Sequence, residues 1–210
     1  SGKIDLSYIG AAALRWRQVA LRGDEESLKH DLRSTLEEML PKTVEVKTVA
    51  VANAEDYEKP LTVSYTVAGT LGSWTGKRLM VVPDLFLAEA KATFPHEKRQ
   101  AAVYFSYPRM VQDALRINFP KGFAVEATPA TAKFDLPKTA MYNMSVESTP
   151  TSFTTRRNFA FGEIVVLPAE YSQLRSFYSQ FEANDQQSVV LKSAPAAAAS
   201  ATTPGGNGGN

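Results

Sequence analysis

Residues 140–166, with the sequence AMYNMSVESTPTSFTTRRNFAFGEIVV, carry the pattern that decides the fold. Apolar Tyr142, Met144 and Val146 alternate with polar neighbours, and aromatic residues continue the pattern from Phe153 onward. This period of two residues is typical of a strand with one buried face. Short alternating strands separated by turn residues indicate an antiparallel β-sandwich.

The same alternation extends towards both ends of the chain. Leu14 and Trp16 alternate with Arg15 and Arg17, which predicts a strand whose arginines face solvent, and residues 10–13 are expected to form the turn before it. The pattern that begins at residue 153 is expected to continue to residue 166. Further strands are predicted over residues 3–9, 43–51, 61–67, 79–82, 103–107, 115–119, 123–125 and 188–192.

Two segments have the period of amphipathic helices. The first covers residues 24–40, where Asp24 is a natural N-cap, leucines recur on one face and Pro41 ends the helix. The second covers residues 168–182, where Pro168 suits the first turn and aromatic side chains form the inward face. The predicted fold class is therefore mainly β with two helices (α+β), in an antiparallel β-sandwich-like arrangement of short strands.

The chain is expected to contain three parts. Residues 1–95 are predicted to form a β-rich subdomain with helix 24–40, and residues 96–193 an antiparallel β-sandwich-like subdomain with helix 168–182. Residues 194–210 have no large apolar side chain, so they cannot offset the entropy lost on ordering and are predicted to be a disordered Ala/Gly-rich tail.

The composition excludes several classes of function. The 210 residues carry 23 Lys and Arg against 22 Asp and Glu, which gives no reason to expect a nucleic-acid partner. No apolar run approaches the roughly 18 residues needed to cross a bilayer, so no membrane span is expected in this chain. Because cysteine is absent, disulfides, thiolate metal sites and cysteine nucleophiles are excluded, and no metal or other cofactor is expected.

Four motifs occur in a recognisable order along the second half of the chain. They are Lys98-Arg99, then YFSYP at 104–108, LRINFPKGFAVE at 115–126 and PAEYSQLRSF at 168–177. Their order over residues 98–192 resembles the C-terminal domain-of-unknown-function region of bacterial transglutaminase-like proteins, which follows a papain-like core. Phe119 and Phe123 depart from that pattern, which has Leu and Tyr at the corresponding places.

The resemblance implies a larger parent protein with a Cys-His-Asp transglutaminase-like core outside this chain. It also implies a periplasmic or extracellular, envelope-associated location. This chain would then be a non-catalytic accessory or interaction module, not an enzyme, that packs on or positions the core of the parent chain. An envelope protein or a glycan is a further possible partner.

Trp74 is the candidate binding residue. It lies in a segment bordered by Gly69 and Gly76, where an exposed indole can stack on a sugar ring or enter a partner's pocket. The alternative is that Trp74 covers the end of a sheet. A glycan-binding β-sandwich that uses the Trp74 loop is therefore the second hypothesis for the function, and a hydrolase with an unrecognised site is the third.

The remaining candidates have simpler structural explanations. His30 is expected on a helix surface and His96 in a loop, without a partner for proton transfer. Because adjacent strand residues point to opposite faces, each basic pair is explained by solvated ion pairs. Asp113 and Glu126 are expected near basic residues of a hairpin, namely Arg116 and Lys121. The basic pairs are Lys77-Arg78, Lys98-Arg99 and Arg156-Arg157.

Overall fold

A computed structural model describes residues 1–88 and 90–193 of the protein. It contains antiparallel sheets and three helices, which confirms the mainly β, sandwich-like fold class, although the sequence predicted two helices. In chain order the elements are β1 (Gly2–Tyr8), α1 (Gly10–Ala20), α2 (Glu25–Met39), β2 (Val44–Ala52), β3 (Leu61–Gly69), β4 (Ser73–Thr75), β5 (Arg78–Val81), a 3-10 turn (Leu85–Leu87), β6 (Val103–Tyr104), β7 (Arg109–Asn118), β8 (Phe123–Ala127), β9 (Ala132–Leu136), β10 (Ala140–Ser148), β11 (Ser152–Phe161), β12 (Val165–Val166), α3 (Tyr171–Asp185) and β13 (Val189–Ser193).

The N-terminal part is a three-stranded sheet with two helices on one face. The strand order is β1-β3-β2, and both pairs are antiparallel. Leucines of α2 and the apolar face of α1 pack onto the inward residues of β3, so the alternation of residues 61–67 is confirmed as a buried strand face. The N-cap prediction is also confirmed, because the Asp24 carboxylate accepts a hydrogen bond of 2.8 Å from the Ser27 amide.

The prediction of a strand over residues 14–17 is wrong. Those residues lie in α1, which begins at Gly10, so residues 10–13 form its first turn and not a loop. Ala13 and Trp16 are buried at a helical spacing, and Arg17 is buried as well. The Arg17 guanidinium donates to the carbonyl oxygens of Asn53 and Lys59 at 3.2 and 2.7 Å. Four alternating residues fit both periods, and the alanines before them favour the helix.

The C-terminal part contains two four-stranded sheets that share a core. One sheet has the order β7-β11-β10-β9 and the other β4-β5-β13-β8. At one end of the first sheet, α3 packs on its inner face through Phe177 and Phe181. At the other end, Phe153 packs against Val189 and Leu191 of the second sheet. The inner face therefore supports a helix and a sheet side by side.

Several boundaries differ from the sequence prediction, and β7 begins at Arg109, well before the predicted strand 115–119. The predicted strand 103–107 is only the two-residue β6, and the continuous pattern 153–166 is broken at Gly162, after which β12 pairs with β6. Helix 168–182 is observed over Tyr171–Asp185, because Pro168 lies in the turn that precedes the helix. Strands β4 and β9 were not predicted, and the segment 69–76, expected to be a loop, contains β4.

One sheet contains strands from both sides of residue 95, where the division between subdomains was predicted. Strands β4 and β5 precede this residue, whereas β8 and β13 follow it, and all four share a sheet. The division into subdomains 1–95 and 96–193 stays a prediction. The predicted tail, residues 194–210, lies outside the described residues. Among the helices of the described part of the chain, none has the length and hydropathy needed to cross a membrane.

Candidate functional site

A cleft of about 670 Å³ lies where the N-terminal part meets the C-terminal sandwich. One wall comes from β1 and the end of α2, and the opposite wall from β7, β11 and α3. Residues on either side of position 89, namely Asp84, Phe86, Leu87 and 90–93, close the third side. Most of the surface is apolar, and the apolar side chains include Leu6, Leu36, Met39, Phe86, Val111 and Phe181.

A buried ion-pair network forms the floor of this cleft. Arg157 of β11 binds Asp185 at the end of α3 through two parallel hydrogen bonds of 3.0 Å, from Nε to Oδ1 and from Nη2 to Oδ2. Its Nη1 reaches Oδ2 of Asp113 at 3.3 Å, since Asp113 is the direct cross-strand partner of Arg157 in β7. Arg157 is 6% exposed and Asp185 3% exposed. One guanidinium therefore joins β7, β11 and α3.

Aromatic and amide groups hold this network in place. The Tyr142 hydroxyl donates to Oδ1 of Asp185 at 2.6 Å and accepts from the Asn184 amide at 2.9 Å. The Arg157 guanidinium also lies 5.4 Å from the Tyr142 ring centre and 6.0 Å from that of Phe181. These contacts stabilise the charge on the buried guanidinium.

Asp84 is the most deeply buried carboxyl group of the cleft. It is 1% exposed, and its Oδ1 accepts from the Phe86 amide at 3.1 Å. Its Oδ2 has no donor from which it could accept a hydrogen bond when the carboxyl group is ionised. Burial, followed by repulsion from Asp113, raises the pKa of Asp84 to about 7. Near neutral pH, the protonated and ionised forms of the Asp84 side chain are therefore both populated.

Asp113 is the more accessible neighbour, with 20% of its side chain exposed. Burial raises the pKa of Asp113, while Arg157 opposes the shift, and a hydrogen bond from the protonated Asp84 also stabilises the Asp113 carboxylate. Three carboxyl groups thus surround a single buried guanidinium, those of Asp84, Asp113 and Asp185. A proton on Asp84 partly compensates for the excess negative charge.

Further charged groups lie at the rim of the cleft. Arg109 donates to the Tyr178 hydroxyl at 3.3 Å and lies 5.1 Å from the Phe159 ring centre. Glu182 accepts from the Thr93 amide at 3.1 Å, which ties the segment before His96 to α3. Lys91 also lines the cleft. In the part of the chain that the structure describes, no group of three or more His, Asp or Glu side chains is arranged to hold a metal ion.

Trp74 lies on a different sheet from the strands that carry this network. Trp74 lies in the edge strand β4, is 56% exposed, and packs its indole against Phe123 with 5.9 Å between ring centres. The ring thus contacts the side of the sandwich and keeps an exposed face. Its role in binding stays a prediction.

The two histidines and the basic pairs lie apart. His30 is on the surface of α2 beside Asp31, and His96 is exposed, with its carbonyl oxygen accepting from the Tyr171 hydroxyl at 2.6 Å. Arg156 forms an exposed ion pair with Glu147, as predicted for a solvated strand face. The same prediction is wrong for Arg157, because that side chain lies on the buried face of β11.

The predicted partners of the two hairpin carboxylates are also wrong. Asp113 pairs with Arg157, and Glu126 forms two hydrogen bonds with Arg78 at 2.6 and 2.7 Å. The expected neighbours Arg116 and Lys121 make neither contact. Partner choice depends on which strands are adjacent in the sheet, and residue order alone does not determine that adjacency.

Sequence reasoning missed the cleft, although two of its residues leave a signal. Arg157 is an even number of residues from Phe153, Phe159 and Phe161, so its side chain lies on the same face of β11 as these buried rings. Asp113 similarly lies on the same strand face as Leu115 and Ile117. A charge within an apolar row indicates a buried ion pair. No comparable signal identifies Asp84.

A second exposed feature is apolar, and we call it the ribbon patch. It consists of Tyr104, Ile164, Val165 and Leu167, on or beside the two-stranded β6–β12 ribbon. Tyr104 and Val165 are direct cross-strand partners, 72% and 46% exposed, and Leu167 is 56% exposed. Neighbouring large apolar side chains left in solvent are typical of an interaction surface.

The sequence of residues 77–191, more than half of the chain, matches the family DUF3858, described as a domain of unknown function with a solved structure. The chain belongs to this family. The matched region runs from the residue before β5 into β13, so it contains the sheet β7-β11-β10-β9, strands β5 and β8 of the other sheet, α3, the ribbon patch and every charged residue of the cleft network, but not strand β4.

One structural relative is a crystal structure described as that of "a putative protease" from Parabacteroides distasonis. It is 12% identical, with a TM-score of 0.47, and the match covers 56% of this chain and 24% of that one. The chain thus spans about a quarter of the length of that structure. No curated protein matches the sequence.

Proposed function

We propose that this chain is a non-catalytic accessory module of a bacterial transglutaminase-like, envelope-associated protein, and that it packs against the catalytic core of its parent chain. The single observation that carries the proposal is the ribbon patch. Tyr104 and Val165 form an exposed cross-strand pair, and Leu167 follows on the same side of the ribbon. Covering these side chains would remove apolar surface from water.

The contacts within the cleft network favour a structural role for its charged groups over a catalytic one. Arg157, Asp113 and Asp185 bind one another, and Tyr142 and Asn184 occupy further positions around Asp185. Groups that satisfy one another in this way hold elements together. The order of motifs over residues 98–192, which resembles the region after a transglutaminase-like core, supports the identity of the partner.

The test is binding of this chain to the core encoded upstream in the same gene. The two polypeptides are produced separately and mixed in a calorimeter. We expect saturable binding that falls at least about tenfold in the double variant Tyr104→Ser, Val165→Ser, because buried apolar anchors dominate interface energies. The control is Leu21→Ser, which removes a side chain that is 77% exposed outside the patch.

Two results would exclude this function. One is a complete gene sequence in which no Cys-His-Asp core accompanies this chain. The other is a core that does not bind, or that binds the ribbon variant and the wild type equally well.

A second candidate is glycan binding through Trp74, which the exposed face of the indole favours. A glycan array probed with the wild-type chain and with Trp74→Ala separates the two functions. Reproducible binding that the substitution abolishes would favour the glycan-binding module. Binding that does not change would remove Trp74 from consideration.

A further inference from the structure

We propose that the cleft binds the side chain of an arginine presented by a peptide, with its guanidinium at Asp113 and Asp84. This inference does not depend on packing against a transglutaminase-like core, since the cleft and the ribbon patch use different residues. It rests on the geometry of the carboxyl groups, on the Asp84 oxygen that lacks a donor when Asp84 is ionised, and on the apolar walls.

The cleft contains three carboxyl groups but only one buried guanidinium, that of Arg157. Arg157 satisfies both oxygens of Asp185 but only one oxygen of Asp113. The second oxygen of Asp84 has no hydrogen-bond donor when the group is ionised, although the residue is 1% exposed and lines the cleft. A buried carboxylate oxygen without a donor is costly, and a second cation with several N–H groups would satisfy it.

The shape and lining of the cleft favour the side chain of an arginine as the bound cation. A volume of about 670 Å³ accommodates an amino-acid side chain together with part of its backbone. Leu36, Met39 and Phe86 supply apolar surface for the aliphatic stem of an arginine. The planar guanidinium can donate two hydrogen bonds to a carboxylate along one edge while an aromatic ring covers its face.

Entry of this cation replaces the proton held near Asp84. The protonated Asp84 donates to Asp113, and binding of a guanidinium between the two groups requires that this proton leave. The charged groups that face Asp84 are Asp113 from β7, Arg157 from β11 and Asp185 from α3. Lys91, Arg109 and Glu182 lie at the rim.

The test is an NMR titration of the ¹⁵N-labelled chain with two capped peptides, acetyl-Leu-Arg-Leu-amide and acetyl-Leu-citrulline-Leu-amide. Citrulline has the shape of arginine without its charge. We expect saturable shifts in the amides of residues 84–87, 109–113 and 181–186 with the arginine peptide. The citrulline peptide should bind at least about tenfold more weakly, because hydrogen bonds to charged groups contribute more than neutral ones.

The affinity should also depend on pH and on the two carboxyl groups. With a pKa of about 7 for Asp84, the ionised fraction rises about tenfold between pH 6 and pH 8, so the affinity should rise by about the same factor. Asp113→Asn and Asp84→Asn should each weaken binding at least about tenfold. Asp135→Asn, an exposed change on β9, is the matched control and should leave the affinity unchanged.

Three results would overturn the inference. They are equal affinity for the two peptides, shifts confined to amides outside the cleft, and no saturable binding of the arginine peptide at millimolar concentration. The comparison of peptides on the wild-type chain remains decisive if a carboxyl variant does not fold.

Discussion

Arg157 and Asp84 show two ways in which a charged residue is tolerated inside this molecule. Arg157 remains charged because two carboxylates and three aromatic rings surround it. Asp84 lacks such a partner, and burial raises its pKa to about 7. The consequences differ, since the loss of Arg157 leaves charge uncompensated, whereas Asp84 can become neutral by taking up a proton.

Replacing Arg157 by Gln should lower the free energy of unfolding by about 3–5 kcal/mol, because Asp185 and Asp113 would lose their buried cation. Urea denaturation at pH 7 measures this change. The neighbouring Arg156→Gln removes an exposed ion pair with Glu147 and should change stability by less than about 1 kcal/mol. Equal effects of the two substitutions would contradict the network.

Replacing Asp84 by Asn should stabilise the protein at high pH. The folded-state pKa of Asp84 lies above its ordinary value of 3.8, so the folded state holds a proton between pH 4 and pH 7 that the unfolded state has released. The contribution of Asp84 to stability is therefore complete below pH 4 and is lost as the pH rises through 7. Asn mimics the neutral acid at every pH.

The expected difference between Asp84→Asn and wild type is close to zero at pH 4 and at most about 4 kcal/mol at pH 8 in favour of the variant. Urea denaturation at several pH values measures it, with Asp135→Asn as a control at an exposed position. A difference that does not change with pH would show that Asp84 is ionised throughout.

At the scale of elements, the two N-terminal helices differ in how clearly the sequence predicts them. Helix α2 has an N-cap, acidic residues in its first turn and a stripe of three buried leucines, so each local signal agrees. Helix α1 has no side-chain cap and no acidic residue in its first turn. Its buried face includes Arg17, whose guanidinium binds backbone carbonyl oxygens of the segment 53–59. Such a tertiary contact is not visible in a local pattern.

The N-cap of α2 gives a prediction at this scale. Asp24→Ala should destabilise the protein by about 1 kcal/mol, because the carboxylate accepts hydrogen bonds from both the amide and the hydroxyl of Ser27. Chemical denaturation measures the change, and Asp24→Asn, which retains a capping oxygen, should recover most of the loss. Equal losses in the two variants would assign the effect to charge instead of capping.

The strands were predicted better than the site because alternation is local and partner choice is not. The alternation of Tyr142, Met144 and Val146 correctly gives a buried face of β10. The pair of Asp113 and Arg157, by contrast, depends on β7 lying next to β11, 44 residues apart along the chain. Asp84 becomes part of the cleft only because the 3-10 turn packs against both halves of the molecule.

At the scale of the whole molecule, three apolar clusters are joined through shared strands. Ile117 of β7 packs against both the N-terminal core and the core between the two sheets, and Val146 of β10 contacts both C-terminal cores. The cleft lies at the junction of the N-terminal core with β7, β11 and α3, whereas the ribbon patch lies outside it. The two proposed binding surfaces therefore use different residues.

The measurement that tests packing on a core most directly is hydrogen–deuterium exchange of the complete gene product compared with this chain alone. We expect the amides of residues 103–105 and 164–167 to exchange rapidly in the isolated chain, because the ribbon pairs only two residues on each strand. The same amides should become protected in the complete protein. Exchange at the same rate in both proteins would contradict this expectation.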